Sequence, residues 1–250
     1  MSSYAAHNFY HAQYLPLAFP FLLLFAGALA LLVLLVQVQA LKFAYMRLGI
    51  SSGAALVLLF ASLIGSAINI PIGSLGAEPL ASSGYVRYFG MIYLVPEIEG
   101  SRDVILAVNV GGALIPTLLS LYLLVENRLW GRGVVAVACM TAISYVLALP
   151  VAGVGIALPT FVPPLAATLV GALISWRDIA PLAYVGGSLG VLIGADLLNL
   201  DKIRGLGAPV ASIGGAGTFD GIFVTGILAV LLASLAGRDD ASQSAASYRR

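Results

Sequence analysis

Seven long apolar runs dominate this chain: Leu17–Ala40, Gly53–Ile70, Val104–Val125, Val134–Val151, Gly155–Ser175, Ile179–Leu200 and Thr218–Ala236. The first five hold no charged side chain, and the last two hold one aspartate each, Asp196 and Asp220. Each run has close to the ~20 residues that a helix needs to cross the hydrocarbon of a bilayer. Hydrocarbon offers no partner to a backbone N–H or C=O, so a crossing chain must satisfy those groups internally. The fold expected is all-α: a polytopic transmembrane helix bundle of about seven spans over residues 17–237. An N-terminal tail, residues 1–16, precedes it, and a polar, disordered tail, residues 238–250, comes after it.

Composition agrees. Hydrophobic residues make up 60% of the chain and charged ones 9%, against roughly 25% charged in a soluble domain. So little polar surface cannot coat a water-soluble particle, and the expected partner of most of the surface is a lipid bilayer, in the cell membrane. A net charge of +1 gives no reason to expect nucleic-acid binding. The single cysteine, Cys139, excludes an intramolecular disulfide and a CxxC metal site. His7 and His11 have the i, i+4 spacing of helical metal ligands but precede the first run, where a solvated tail accounts for them. No metal and no cofactor is expected. No basic residue precedes the first apolar run, so a cleavable signal peptide is not expected.

Basic residues orient the bundle. Lys42 and Arg47 come after the first run, Arg128 and Arg132 after the third, Arg177 after the fifth, and Arg238, Arg249 and Arg250 after the seventh. Positive charge collects on the cytoplasmic side, which puts the N-terminus outside and the C-terminus inside. The external loops still hold Arg87, Arg102, Lys202 and Arg204.

The one long loop, Pro71–Asp103, has an aromatic and β-branched middle, Tyr85–Val95, that favours a strand. A turn at Pro96–Ser101 and a return through Val104–Val110 would complete a small β-hairpin between spans two and three; helix or strand for Val104–Val110 stays open on the sequence alone. An interfacial aromatic belt explains the same loop equally well. Pro159, Pro163 and Pro164 fall inside the fifth run, where a kink or break is expected. Ala183, Gly187, Gly190 and Gly194 recur at helical spacing in the sixth and form a ridge that a neighbouring helix can approach closely.

The chemistry lies in the two aspartates, since an ionisable group within a span is costly unless paired or hydrated. Asp196 stands near the end of the sixth run and Asp220 near the start of the seventh. Consecutive spans are antiparallel, so both fall at one membrane face, and neither has a Lys or Arg in its own span. Two carboxylates sharing a low-dielectric site share one proton. That is the arrangement of aspartic proteolysis, in which one member takes a proton from water and the other polarises the scissile carbonyl. Gly214, Gly215, Gly217 and Gly221 leave bare backbone around Asp220, across which a substrate chain can lie.

Asp196-Leu-Leu and Phe219-Asp-Gly-Ile-Phe223 resemble the paired aspartates of the intramembrane aspartyl proteases, the group of presenilin, signal peptide peptidase and the prepilin peptidases. The resemblance implies a catalytic dyad of Asp196 and Asp220 and a transmembrane peptide as substrate. Gly217 matches the glycine three residues before the second aspartate. Phe219 and Ala195 stand where that group has glycine and tyrosine, and Pro163-Pro164-Leu165 precedes the aspartates where presenilin-type enzymes carry Pro-Ala-Leu after them. The strings Gly194-Ala-Asp-Leu-Leu-Asn-Leu200, Gly214–Phe223 and Asn109-Val-Gly-Gly-Ala-Leu-Ile-Pro116 also resemble a bacterial and archaeal membrane-protein family of unknown function. From these strings, Gly194, Gly215, Gly217, Gly221, Asn199, Asn109 and Pro164 are candidates for substrate binding.

Two other readings use the same residues. A proton- or cation-coupled transporter or channel would employ the acids with Asn69, Asn109 and Asn199 as oxygen ligands, although the two halves of the chain show no internal repeat. In a non-catalytic scaffold, Asp196 and Asp220 would cap helix ends.

Overall fold

The computed structural model describes residues 15–75, 85–88, 91–94, 104–151, 155–203, 210–215 and 221–236. It divides into two units, residues 1–41 and residues 42–250. The first consists, over its described part, of helix α1 (Leu15–Arg47), whose leucines and valines from Leu23 to Val36 are exposed. The last turn of α1 belongs to the second unit, where Ala44 and Tyr45 are fully buried. Gly49, at φ +85°, closes that end of the helix.

The second unit is mostly helical but not all-α. Helix α2 (Ser52–Gly65) starts on Ser51, whose hydroxyl accepts the Ala54 N–H, and stops at Gly65. Strand β1 (Asn69–Leu75) then begins inside what reads as the end of the second apolar run. Alternating Ile68, Ile70 and Ile72 favour a strand, and Pro71 pushes the residue before it out of the helical region. Pro71 is tolerated because β1 is an edge strand, with a register shift between Pro71 and Gly73. The loop holds β2 (Tyr85–Tyr88) and β3 (Met91–Leu94), which among the described residues pair with each other and with no other strand. The expected continuous Tyr85–Val95 strand is thus two short ones.

Val104–Asn109 resolves as strand, and Val110 starts a π-helical turn. β4 (Val104–Asn109) pairs antiparallel with β1, rather than with the Tyr85–Val95 segment, and parallel with β7 (Val210–Ile213), giving the order β1-β4-β7. A π-helical turn (Val110–Leu114) leads from β4 into α3 (Ile115–Glu126), and α4 (Trp130–Leu147) comes next. A short hairpin, β5 (Leu149–Val151) and β6 (Gly155–Ala157), occupies the ends of the fourth and fifth runs. Helix α5 (Val162–Ile174) begins only after it. Pro163 and Pro164 therefore sit in its first turn, where a missing N–H costs nothing, and they start the helix instead of kinking it.

Helix α6 (Ile179–Val191) continues through a second π-helical turn (Leu192–Asp196) and a 3₁₀ turn (Leu197–Asn199) into α7 (Leu200–Ile203). It is the central helix, buried from Leu182 to Ser188. Its small residues face two ways. Gly186, Gly190 and Gly194 pack on α4, against Ala136, Met140 and Thr141, while Gly187 packs on Ala167 of α5 and on Thr225 of α8 (Gly221–Ala236). The expected single ridge is therefore two seams, with Ala183 against Gly171 of α5.

Each of the seven apolar runs contains a helix, but among the described residues three helical segments are long and apolar enough to cross a membrane: Ala26–Arg47, Trp130–Leu147 and Ile179–Ile203. The remaining apolar helices among the described residues are shorter; strand residues take up part of the second, third and fifth runs. Large apolar side chains such as Phe60, Leu118, Val146, Leu169 and Leu173 point outward. An apolar surface of this kind is suited to lipid, not water.

Candidate active site

Parallel pairing of β4 with β7 decides which residues meet at the site. Val108 stands opposite Ile213, so Asn109 and Gly214 leave the sheet side by side. Gly214 turns at φ +83°, a conformation L side chains avoid. A Cβ there would also collide with Ala113 in the first π turn. Its N–H points to α6 and donates to Oδ2 of Asp196 at 2.7 Å. Asp196 is the last residue of the second π turn and is partly buried.

The neighbouring residue, Gly215, lies against Asn109, where a Cβ would stand 3.2 Å from Cγ. Asn109 is buried and fully engaged. Its Oδ1 accepts the Gly112 N–H at 2.8 Å and so caps the π turn. Its Nδ2 donates to the Ser66 carbonyl at 2.8 Å and to Asn69 Oδ1 at 3.0 Å. Asn69 Oδ1 accepts a second bond from the Ser212 hydroxyl. One amide thus ties the end of α2, the start of β1 and the end of β4 together, and Ser212 adds β7.

Asn199 plays the same part on the other side of Asp196. Passing from π to 3₁₀ winding disturbs the helical bond ladder, and buried Asn199 answers by donating Nδ2 to the carbonyls of Gly194 and Ala195 at 2.9 and 3.0 Å. Its Oδ1 accepts from Lys202 Nζ at 2.7 Å, and that ammonium lies 4.9 Å from the centre of the Tyr145 ring.

The predicted residues therefore separate. Asp196, Gly215 and Asn109 come together around Gly214, and Asn199 braces the Asp196 turn. Gly194 packs on the backbone of α4. Pro164 begins α5, its carbonyl accepting the Thr168 hydroxyl, which also reaches the Ala229 carbonyl of α8. Gly221 is the first residue of α8. Asp220 and Gly217 lie outside the described residues, as do His7 and His11. Ser66, Ser212 and Lys202 complete the constellation without being legible from the sequence: single serines carry no motif, and only β-strand placement of residues 69 and 210–213 would have found them.

At the far end of α6, Arg132 bonds Asp178 at 2.9 Å, and Asp178 also accepts from the Ser175 hydroxyl. The α3–α4 and α5–α6 connections thus share one face.

The sheet, the π turns and the central helices fall within one family match. The family model described as protein of unknown function DUF1614 matches residues 63–232, more than half of the chain. The chain belongs to the DUF1614 family. The DUF1614 match takes in the three-stranded sheet, both π turns and the helices from α3 on; α1 lies outside it and it begins well before Asn109. No curated protein and no solved structure matches the chain.

Proposed function

We propose that this DUF1614 protein is an intramembrane hydrolase of the aspartyl-protease type, cleaving peptide bonds of membrane-embedded segments with Asp196 and Asp220. The observation that carries the reading is the bond from the Gly214 N–H to Asp196. It fixes one carboxylate against the segment that leads, six residues later, to the second. Because α8 starts so soon after Gly215, it begins at the Asp196 end of α6 and runs back along it, with Gly226 against Ser188. That register favours a carboxyl pair at one level. In such a pair the ionised member takes a proton from water as its oxygen attacks the scissile carbonyl, and the protonated member donates to the carbonyl oxygen.

An extended substrate has a surface to lie on. Among the described residues β7 pairs on one side only, and a peptide adding along its free edge would run toward Gly214. This edge replaces the Tyr85–Val95 segment, whose two strands already pair with each other.

The ion-coupled reading draws less support. Its amide oxygens are engaged, Asn109 with Gly112, Asn69 with Asn109 and Ser212, and Asn199 with the Lys202 ammonium. A cation would have to displace these donors. We further propose that the protein resides in the cell membrane with about seven spans, the Arg132–Asp178 face and C-terminus cytoplasmic and Asp196 toward the outside. Incubation of purified protein in nanodiscs with a library of transmembrane peptides, read by mass spectrometry, tests the function. Cleavage by the wild type that is absent from Asp196→Asn and Asp220→Asn supports it. No cleavage between about pH 4 and 8, with Asp-dependent ion flux in proteoliposomes, overturns it.

A further inference from the structure

Six residues after Asp196 stands a lysine whose charge is committed. Lys202, on α7, is exposed, yet its ammonium donates to Oδ1 of Asn199 at 2.7 Å and stands 4.9 Å from the centre of the Tyr145 ring. The first contact is a hydrogen bond strengthened by the donor's charge, the second an attraction to the ring's π-face. Tyr145 belongs to α4 and comes directly after Ser144, against which Gly194 packs. One stretch of α4 therefore supports both the turn before Asp196 and the lysine after it.

An ammonium carries three donors and no acceptor, so an amide can face it only with its oxygen. That fixes which way buried Asn199 is turned. With Oδ1 held by Lys202, Nδ2 points back along the helix and donates to the carbonyls of Gly194 and Ala195 at 2.9 and 3.0 Å. A reversed amide would set its oxygen against two carbonyl oxygens and its NH₂ against the ammonium. The Ala195 carbonyl belongs to the peptide that enters Asp196, where π winding gives way to 3₁₀. The backbone ladder is irregular there, the Leu197 N–H being shared between the carbonyls of Leu192 and Ile193. Asn199 supplies two bonds at the point where the direction of the Asp196 side chain is set.

We propose that Lys202 is a positioning residue for Asp196: through the Asn199 amide, it holds the turn that aims the carboxylate at the Gly214 N–H. Its consequence for peptide cleavage rests on the hydrolase reading; its effect on the carboxylate does not.

Dicyclohexylcarbodiimide, an apolar reagent that couples to protonated carboxyl groups within membranes, reads that effect directly. The full chain in nanodiscs is treated at one fixed pH, and modification of Asp196 is followed by peptide mass spectrometry. Lys202→Met keeps an unbranched apolar stem and removes the donor, whereas Lys202→Arg keeps a donor. Loss of the charge-assisted bond should raise the labelling rate of Asp196 about tenfold in Lys202→Met, and Lys202→Arg should bring it back toward the wild type. In an Asn199→Ala background Lys202→Met should add nothing, because the lysine acts through that amide. Equal labelling of wild type and Lys202→Met overturns the proposal, as does failure of arginine to restore it. A further rise in the double variant also overturns it, since the ammonium would then act on the carboxylate by its charge alone. Should Asn199→Ala fail to fold, the methionine and arginine variants decide. In peptide cleavage Lys202→Met should lower kcat and leave KM unchanged; a raised KM with kcat unchanged would make Lys202 a substrate contact instead. A wild type that cleaves no peptide removes the hydrolase reading and leaves the labelling result standing.

Discussion

The carboxylate of Asp196 accepts the backbone N–H of Gly214 at 2.7 Å, across eighteen positions of sequence. This bond joins the π turn that follows α6 to the residue that follows β7. β4 and β7 are parallel neighbours, so it also brings the acid beside the other π turn, which Asn109 caps. π turns recur at functional sites, where the extra residue shifts the direction of the side chains beyond it. Here both open toward the same glycine.

Gly214→Ala should therefore be harmful in two ways at once. The left-handed backbone alone costs an L residue about 1–2 kcal/mol, and the new methyl would collide with Ala113. We expect a loss of about 2 kcal/mol or more in thermal or denaturant unfolding in detergent. Gly215→Ala, with its Cβ 3.2 Å from Asn109, should be milder. Equal behaviour of the two variants would mean that the turn at 214 is not what holds Asp196.

Asn109 supplies one acceptor and two donors, all used within the protein. Asn109→Asp keeps the cap on Gly112 but turns a carboxylate oxygen toward the Ser66 carbonyl and Asn69 Oδ1. It should cost more than Asn109→Ala, which takes this partner from the Ser66 carbonyl and the Gly112 N–H at about 1–3 kcal/mol each while Asn69 Oδ1 keeps the Ser212 hydroxyl. Unfolding midpoints of the two variants give the order, and the reverse order would place a proton or a cation among these oxygens.

The helices were legible in the sequence because hydrocarbon permits few alternatives, and each apolar run does hold one. Their ends were not. Hydropathy treats Ile68–Ile72 and Val104–Val108 as more span, because a strand of isoleucines and valines is as apolar as a helix whether exposed, as in β1, or partly buried, as in β4; only Pro71 and the β-branched alternation betray the change. The pairing of β4 with β7, about a hundred residues apart, has no local signature at all. Asp196 stood out because a charge in an apolar run is costly, whereas Gly214 became identifiable only once the strand before it was placed. Asn109 and Asn199 drew notice as polar residues in apolar runs, and both turn out to serve the backbone.

Packing along α6 gives a contrast within one residue type. Gly190→Leu and Gly194→Leu would drive side chains into Met140 and the Thr141 backbone of α4 and should lower the unfolding temperature or abolish expression. Gly131, in the first turn of α4, has nothing within 4 Å of an added Cβ. Gly131→Ala should be neutral or stabilise by up to ~1 kcal/mol. Tolerance of leucine at 190 and 194 would mean that the α4–α6 seam is not tight.

Topology is testable through the residues at the two ends of α6. Cys139 faces outward on α4 and can be replaced to give a cysteine-free background. In intact cells, a cysteine at exposed Arg177 should resist an impermeant thiol reagent, while one at exposed Asp201 should react. The opposite pattern inverts the proposed orientation but leaves the fold untouched.

The proposed chemistry separates from the structural role of Asp196 by choice of substitution. Asn keeps an oxygen that can accept the Gly214 N–H, so Asp196→Asn should fold with a melting temperature close to the wild type. Asp196→Ala leaves that N–H unpartnered and should lose about 1–3 kcal/mol. If Asp196 and Asp220 share a proton, peptide cleavage should vanish in Asp196→Asn despite its stability, because an amide cannot exchange that proton. Asp220→Asn should match it, and the double Asn variant should be no worse than either single one, as expected of groups acting as a unit. Melting curves recorded beside cleavage of transmembrane peptides read both quantities on the same preparations. A stable Asp196→Asn that still cleaves would leave Asp196 a structural residue, its carboxylate holding β7 against the end of α6 and nothing more.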